Sequence, residues 1–321
     1  MSAFAPRAGQ RRVLAYDGGR MGVSAVPGSG KTHTLALLAA EIVASGRLAD
    51  DQEVLVVTLV NSAVRNFASR VSARVGERGL LPNVGYQVRT LHGLAHDIVR
   101  ERPGLVGLSD GFQIVDEREG DRILDDVVQA WTRTHPNGAD AFLSPALDGA
   151  KRDWVKRDRW PGLLRGLARN LIKQAKDLRL TPDELAARLG AYPHRLALAE
   201  LGYALYDDYQ RALAYRGAVD FDDLIRLAHQ ALSLDEALLG RLRRRWPYVL
   251  EDEAQDSSQL QEEILGMLAG PQGNWVRVGD PNQAIYETFT TADPEHLRAF
   301  LKAPGVTAVD LPESGRSSLS V

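Results

Sequence analysis

The sequence contains no cysteine. Disulfide bridges, thiolate metal centres and cysteine nucleophiles are therefore excluded from any account of how the chain folds or works. It also lacks a run of the ~18 apolar residues that a membrane-spanning helix needs, and Met1-Ser-Ala-Phe-Ala-Pro-Arg7 has no apolar core of the kind a secretory leader requires. These absences lead us to expect a soluble, cytoplasmic protein with no membrane partner. A large excess of either charge is missing as well. The 39 Lys and Arg against 42 Asp and Glu leave a formal net charge of −3, which neither favours nor excludes an anionic polymer, because a basic face can sit on an acidic whole. What remains is a globular balance, 44% hydrophobic and 25% charged over 321 residues, enough for one large or two ordinary domains.

Against that background Ala25-Val-Pro-Gly-Ser-Gly-Lys-Thr32 organises the rest. Met21–Ala25 reads as a short buried strand, and Leu35–Ala44 as an apolar helix closing at Gly46. In that strand–loop–helix setting Gly28 and Gly30 let backbone N–H groups face a polyphosphate, backed by the positive end of the helix dipole. Lys31 would reach the β- and γ-phosphates, and the Thr32 hydroxyl would hold Mg²⁺. Ala25, Gly28, Ser29, Gly30, Lys31 and Thr32 are the candidate nucleotide-binding residues, Ala25 standing where the usual pattern has glycine.

Residues 1 to 10 read as irregular. Glu53-Val-Leu-Val-Val-Thr58 is a continuous apolar run of the kind found in a parallel strand covered on both faces, so strand, helix and strand open a doubly wound α/β domain. Ser62–Val75 is helical, with Arg65, Arg70 and Arg74 on its solvent side. Val88–His92 leads into a helix over Gly93–Arg100. From about residue 105 to 217 the α/β rhythm gives way to helices. Leu163, Leu164, Leu167, Leu171 and Ile172 share one face, as do Leu198, Leu201, Leu205, Tyr209 and Leu213. Thr181-Pro-Asp-Glu184 is a capping box.

Residues 151–180 carry ten Lys or Arg against three Asp, with Trp154 and Trp160 interleaved. That composition suits the backbone-plus-stacking mode by which single strands are held, with Arg165, Arg169 and Lys173 as candidate DNA-binding residues, although each tryptophan better suits a core position. Asp220 caps the helix that Phe221-Asp-Asp-Leu224 opens. The strand Trp246–Leu250 then runs into Glu251-Asp252-Glu253. Adjacent carboxylates at a strand end are what a Mg²⁺-nucleotide site needs, one for the hydrated metal and one for a proton from water, although an exposed acidic turn has the same composition. A strand over Asn274–Val278 leads to Gly279-Asp-Pro-Asn-Gln283-Ala-Ile-Tyr286, and a last strand spans Val306–Leu311.

The cradle, the Asp252-Glu-Ala-Gln-Asp256 box and the Gly279–Tyr286 box, in this order and spacing, resemble the first RecA-like core of the UvrD/Rep (PcrA-like) superfamily-1 DNA helicases. The resemblance covers nearly the whole chain. It implies an α/β RecA-like P-loop NTPase core with a parallel sheet, formed by residues 1–104 and 218–321 and interrupted by an all-helical DNA-contacting subdomain at 105–217. By this resemblance Gln10 reads adenine, Asp252 binds Mg²⁺ through water, Glu253 is the general base, Gln283 senses the γ-phosphate and Arg316 contacts it. Asn61 in Thr58-Leu-Val-Asn61 and His92 in Thr90-Leu-His92 fall in strand-binding boxes, and Tyr286 and Phe289 stack on bases. Leu59, Val60 and Ser314-Gly315 depart from the usual residues of their boxes. The implied activity is ATP hydrolysis that drives 3′ to 5′ movement on single-stranded DNA and unwinds duplex, in repair or recombination. In the family a second RecA-like core follows the box at Arg316, so full activity is expected to need that core in cis or in trans. The alternative is a truncated nucleotide- and DNA-binding module without helicase activity, which would have no need of Glu253.

Overall fold

The computed structural model of the chain describes residues 5–283 and 293–314. In chain order the strands are β1 (Arg20–Ala25), β2 (Val54–Thr58), β3 (Tyr86–Thr90), β4 (Gln113–Ile114), β5 (Ala218–Val219), β6 (Tyr248–Asp252), β7 (Asn274–Gly279) and β8 (Val306–Leu311). Six of them form one sheet in the order β3-β2-β6-β7-β1-β8, parallel at every pairing. β2 and β6 are buried at every residue, as strands covered by helices on both faces must be. Because the strands run one way, their carboxyl ends share one edge. The phosphate loop after β1, the acidic pair at the end of β6 and Asp280 after β7 all meet there, where open α/β sheets bind ligands.

The residues divide into two compact units, one running to Glu101 and resuming at Ala228, the other Arg102–Leu227. The sheet unit packs Val23, Leu35, Leu38, Val56, Phe67 and Leu250 in its core. Its first helix, Ala8–Leu14, corrects the expectation of irregular chain. At the third helical position, the Gln10 side chain accepts from the Arg7 backbone N–H at 2.9 Å, satisfying a donor that the helix start leaves open. Helices Glu236–Arg245, Gln259–Ala269 and Pro294–Lys302 complete the cover.

The helical unit is built from helices Glu117–Thr134, Gly149–Trp154, Trp160–Asp177, Pro182–Ala191 and Ala197–Tyr215, with the short pair β4–β5 beside them. The Thr181 capping box forms, Glu184 reaching back to the Thr181 N–H at 2.8 Å. A π-turn at Val155–Arg159 precedes Pro161; proline has no N–H to donate into the preceding turn, which loosens the ladder there. The buried stripe of Trp160–Asp177 is Leu164, Ala168, Ile172 and Ala175. Leu163 and Leu198, expected on apolar faces, are 62% and 52% exposed: Leu163 is one residue out of phase with the stripe that packs, and Leu198 keeps phase with Leu201 and Leu205 but lies in the first turn of its helix. The second boundary falls inside helix Phe221–Leu234. Asp220 and Asp223 at its start lie 2.6 and 2.9 Å from the buried Lys176 Nζ, which ties those turns to the helical unit.

Candidate nucleotide-binding site

The loop between β1 and helix Lys31–Ala44 turns through Gly28 at φ 77° and Gly30 at φ 86°, a left-handed backbone that a Cβ disfavours. The first N–H groups of the helix lack intrahelical acceptors and carry the positive end of its dipole. Lys31 is 9% exposed, and its Nζ lies 2.9 Å from Glu253 Oε2. Glu253 itself adopts φ 57°, ψ 44°. For a residue with a side chain this conformation is strained, and such strain concentrates at functional sites.

Asp252 is 4% exposed and hydrogen-bonded to Thr32. Burial pushes its carboxyl up to about 6; the Glu253 charge adds to the rise, and the Thr32 hydrogen bond and Lys31 oppose it. Among the described residues its Oδ1 is buried with no hydrogen-bond partner, a costly state for a carboxylate oxygen. A hard oxygen left without a donor, beside a hydroxyl at the phosphate loop, is the donor set that Mg²⁺ takes together with phosphate oxygens and water. Asp252 and Thr32 therefore fit a magnesium–nucleotide site.

Gln10, 3% exposed, donates from Nε2 to the Ser29 carbonyl at 3.3 Å. It lines a small cavity with Arg7, Gly9, Ser29, Leu311 and Glu313. The Arg7 guanidinium donates to the carbonyls of Ser29 and Glu313, so Arg7 fastens the phosphate loop to the segment after β8. Nothing in the local sequence marked Arg7, because both acceptors are distant backbone. Gln255 was missed too, although it lies inside the Asp252–Asp256 box. Buried to 1%, it donates from Nε2 to Glu253 Oε2 at 3.0 Å and lies 3.4 Å from Gln283 Oε1. Lys31, Thr32, Asp252, Glu253 and, through Gln255, Gln283 thus come together, with Ala25 and Ser29 buried behind the loop.

Asn61, exposed, opens helix Asn61–Glu77 after β2, and His92, half-buried, lies in the first turn of helix Leu91–Glu101 after β3. Both follow carboxyl ends of strands. In the helical unit, Arg165 lies 3.3 Å from Asp121 and 3.0 Å from Asp125, Arg169 pairs with Asp121, and Lys173 is half-buried. Lys176, counted in the same basic stretch, points inward instead. Burial alone would pull its ammonium down, but Asp220 and Asp223 outweigh that and raise it. Trp160 is buried and stacks on Phe142, whereas Trp154 is 42% exposed with the Arg159 guanidinium 5.2 Å from its ring centroid. Tyr286, Phe289 and Arg316 lie outside the described residues.

The family profile described as UvrD/REP helicase N-terminal domain matches residues 7–304. The chain belongs to the UvrD/REP helicase family. Similar proteins include DNA helicase II of Salmonella typhimurium, 28% identical over 313 residues, and the ATP-dependent DNA helicase UvrD1 of Mycobacterium bovis, 29% identical over 321. The ATP-dependent DNA helicase Rep of Salmonella typhimurium is 26% identical over 311. Each alignment takes in 97% of this chain but only 38%, 37% and 41% of the relative. This UvrD/REP chain thus spans about two fifths of the relatives it matches, with the RecA-like α/β core and its parallel sheet.

Proposed function

We propose that this UvrD/REP chain is the ATP-binding half of a DNA-dependent ATPase motor. The observation that carries the proposal is the pairing of the phosphate loop with the end of β6: Lys31 with Glu253 at 2.9 Å, and Thr32 with Asp252. A cradle meant only to hold a nucleotide needs a metal carboxylate but no second acid beside it.

The Lys31 ammonium is now neutralised by Glu253. Phosphate oxygens, carrying more charge than one carboxylate, draw Lys31 away, and Glu253 is then free to accept a proton from water at Oε2. Asp252 and Thr32 hold Mg²⁺, which when bound neutralises phosphate charge. Gln10 reads the base, Gln283 senses the terminal phosphate and Arg316 contacts it. Asn61 and His92 grip one DNA strand, Tyr286 and Phe289 stack on its bases, and Arg165, Arg169 and Lys173 contact DNA from the helical subdomain. A second RecA-like core, in cis or in trans, completes the motor, which steps 3′ to 5′ on single-stranded DNA and unwinds duplex in repair or recombination.

DNA-stimulated ATP hydrolysis, measured for the chain alone and with a companion chain bearing the second core, tests this. Glu253→Gln is expected to lower kcat by about 10²–10⁴-fold, the range for a general base, while nucleotide binding persists. Absence of hydrolysis in every combination, or indifference to Glu253→Gln, rejects the enzymatic role.

A further inference from the structure

The Gln255 carboxamide sits in the turn Ala254–Asp256, directly behind the acidic pair. Its orientation follows from its partners. Oε1 lies 2.9 Å from the Asp280 backbone N–H, which can only donate, so the amide nitrogen faces the other way. That nitrogen carries two hydrogens and meets three acceptors: Glu253 Oε2 at 3.0 Å, Asp256 Oδ2 at 3.1 Å and Gln283 Oε1 at 3.4 Å. Two hydrogens cannot serve three acceptors at full strength, so these contacts compete, and the one to Gln283 is the weakest. The space is shaped for this carboxamide. A Cβ at Gly279 would lie 2.5 Å from Gln255 Oε1 and 2.6 Å from Leu297 Cδ2, so any side chain at position 279 would displace the amide.

We propose that Gln255 is a positioning residue that aims the Glu253 carboxylate and ties that aim to Gln283. The inference rests on Glu253 acting as the base, as proposed above. Glu253 Oε2 is held by Lys31 on one side and by Gln255 on the other. Once Lys31 turns to phosphate, the Gln255 hydrogen bond is what still orients that oxygen. Once Gln283 turns to the terminal phosphate, its oxygen leaves the competition, and the two amide hydrogens settle on Glu253 and Asp256. Occupancy at the phosphate end of the site thereby becomes a better-directed carboxylate. No covalent bond changes at Gln255.

Gln255→Met keeps length and volume and removes both ends of the amide. In DNA-stimulated ATP hydrolysis the variant is expected to lose about 10-fold in kcat, the scale of removing an orienting partner behind a reacting group, with KM for ATP within about twofold. An unchanged kcat or a loss carried by KM would overturn the proposal. A measurement free of turnover separates it from the motor role. The side-chain amide NMR signals of Gln255 are expected to shift on adding Mg²⁺ and a non-hydrolysable ATP analogue, and to shift much less in Gln283→Ala. A shift indifferent to Gln283→Ala overturns the coupling, whether or not the wild type hydrolyses ATP.

Discussion

Arg277 and Glu251 face each other across β7 and β6 in register, the first fully buried and the second 2% exposed. Arg277 Nε donates to Glu251 Oε2 at 2.7 Å, and Nη1 lies 2.7 Å from Glu262 Oε1. The guanidinium also lies 5.0 Å from the ring centroids of both Trp275 and Phe300. Arg277→Met keeps the volume but leaves Glu251 buried, with the Ser257 hydroxyl at 2.7 Å as its remaining donor among the described residues. The carboxylate then either stays charged in an apolar site, at a cost of about 3–5 kcal/mol, or takes up a proton. For a carboxyl of ordinary pKa ~4.3, protonation at pH 7 costs about 3.7 kcal/mol and at pH 5 about 1 kcal/mol. Protonation caps the penalty, so the loss is expected to be about 4 kcal/mol at pH 7 and to shrink by about 1.4 kcal/mol per pH unit down to pH 5. Glu251→Leu together with Arg277→Met, which removes both charges, is expected to recover most of it. The assay is the protection free energy of β6 and β7 amides by native-state hydrogen exchange, which reports this sheet and not the helical unit. A loss under about 1 kcal/mol at pH 7, an equal loss at pH 5, or a double variant no better than Arg277→Met would refute the reasoning.

Three further outcomes are expected. Because the Asp252 carboxyl is raised to about 6 in the folded chain, its contribution to stability is full below its unfolded value and is lost as pH rises through 6. In metal-free buffer Asp252→Asn should therefore exceed the wild type by about 3 kcal/mol above pH 7, with the gap closing towards pH 4 in a series of melting curves. Lys176→Met leaves Asp220 and Asp223 buried against each other and should cost about 3–5 kcal/mol at pH 7, partly recovered on acidification as a carboxyl protonates; equal melting temperatures for variant and wild type would contradict this. Arg165→Gln with Arg169→Gln breaks half-exposed pairs, so stability should fall by less than about 1 kcal/mol per pair. If these side chains exchange aspartate for phosphate, the slope of log affinity for single-stranded DNA against log salt should flatten by about 0.7 per lost contact, and an unchanged slope would mean that they only brace helices.

The parts of the fold legible in the sequence were those written locally. The loop Ala25–Thr32 announced its own strand and helix, Thr181 and Glu184 announced a helix start, and the strand expected over Val306–Leu311 forms. The short helix Ala8–Leu14 was not, since seven residues give too little periodicity and its start is satisfied by Gln10 instead of a usual capping residue. Charges inside the fold were harder still. Lys176 was read as part of a basic surface because its partners Asp220 and Asp223 lie 44 and 47 residues further on, a distance at which helical spacing carries no information.

Arg277 and Glu251 show the same limit within the sheet, and their placement ties that limit to the candidate site. Glu251 immediately precedes Asp252, and Arg277 lies on the strand that leads into Asp280, whose N–H holds Gln255. A cross-strand ion pair between two buried residues fixes the register of β6 against β7 one residue before the acidic pair. An apolar pair of equal volume would pack as well but would resist a slip less, because sliding the strands would separate buried charges. The charges that local pattern could not interpret thus hold in line the strand ends that deliver Asp252 and, through Gln255, Glu253.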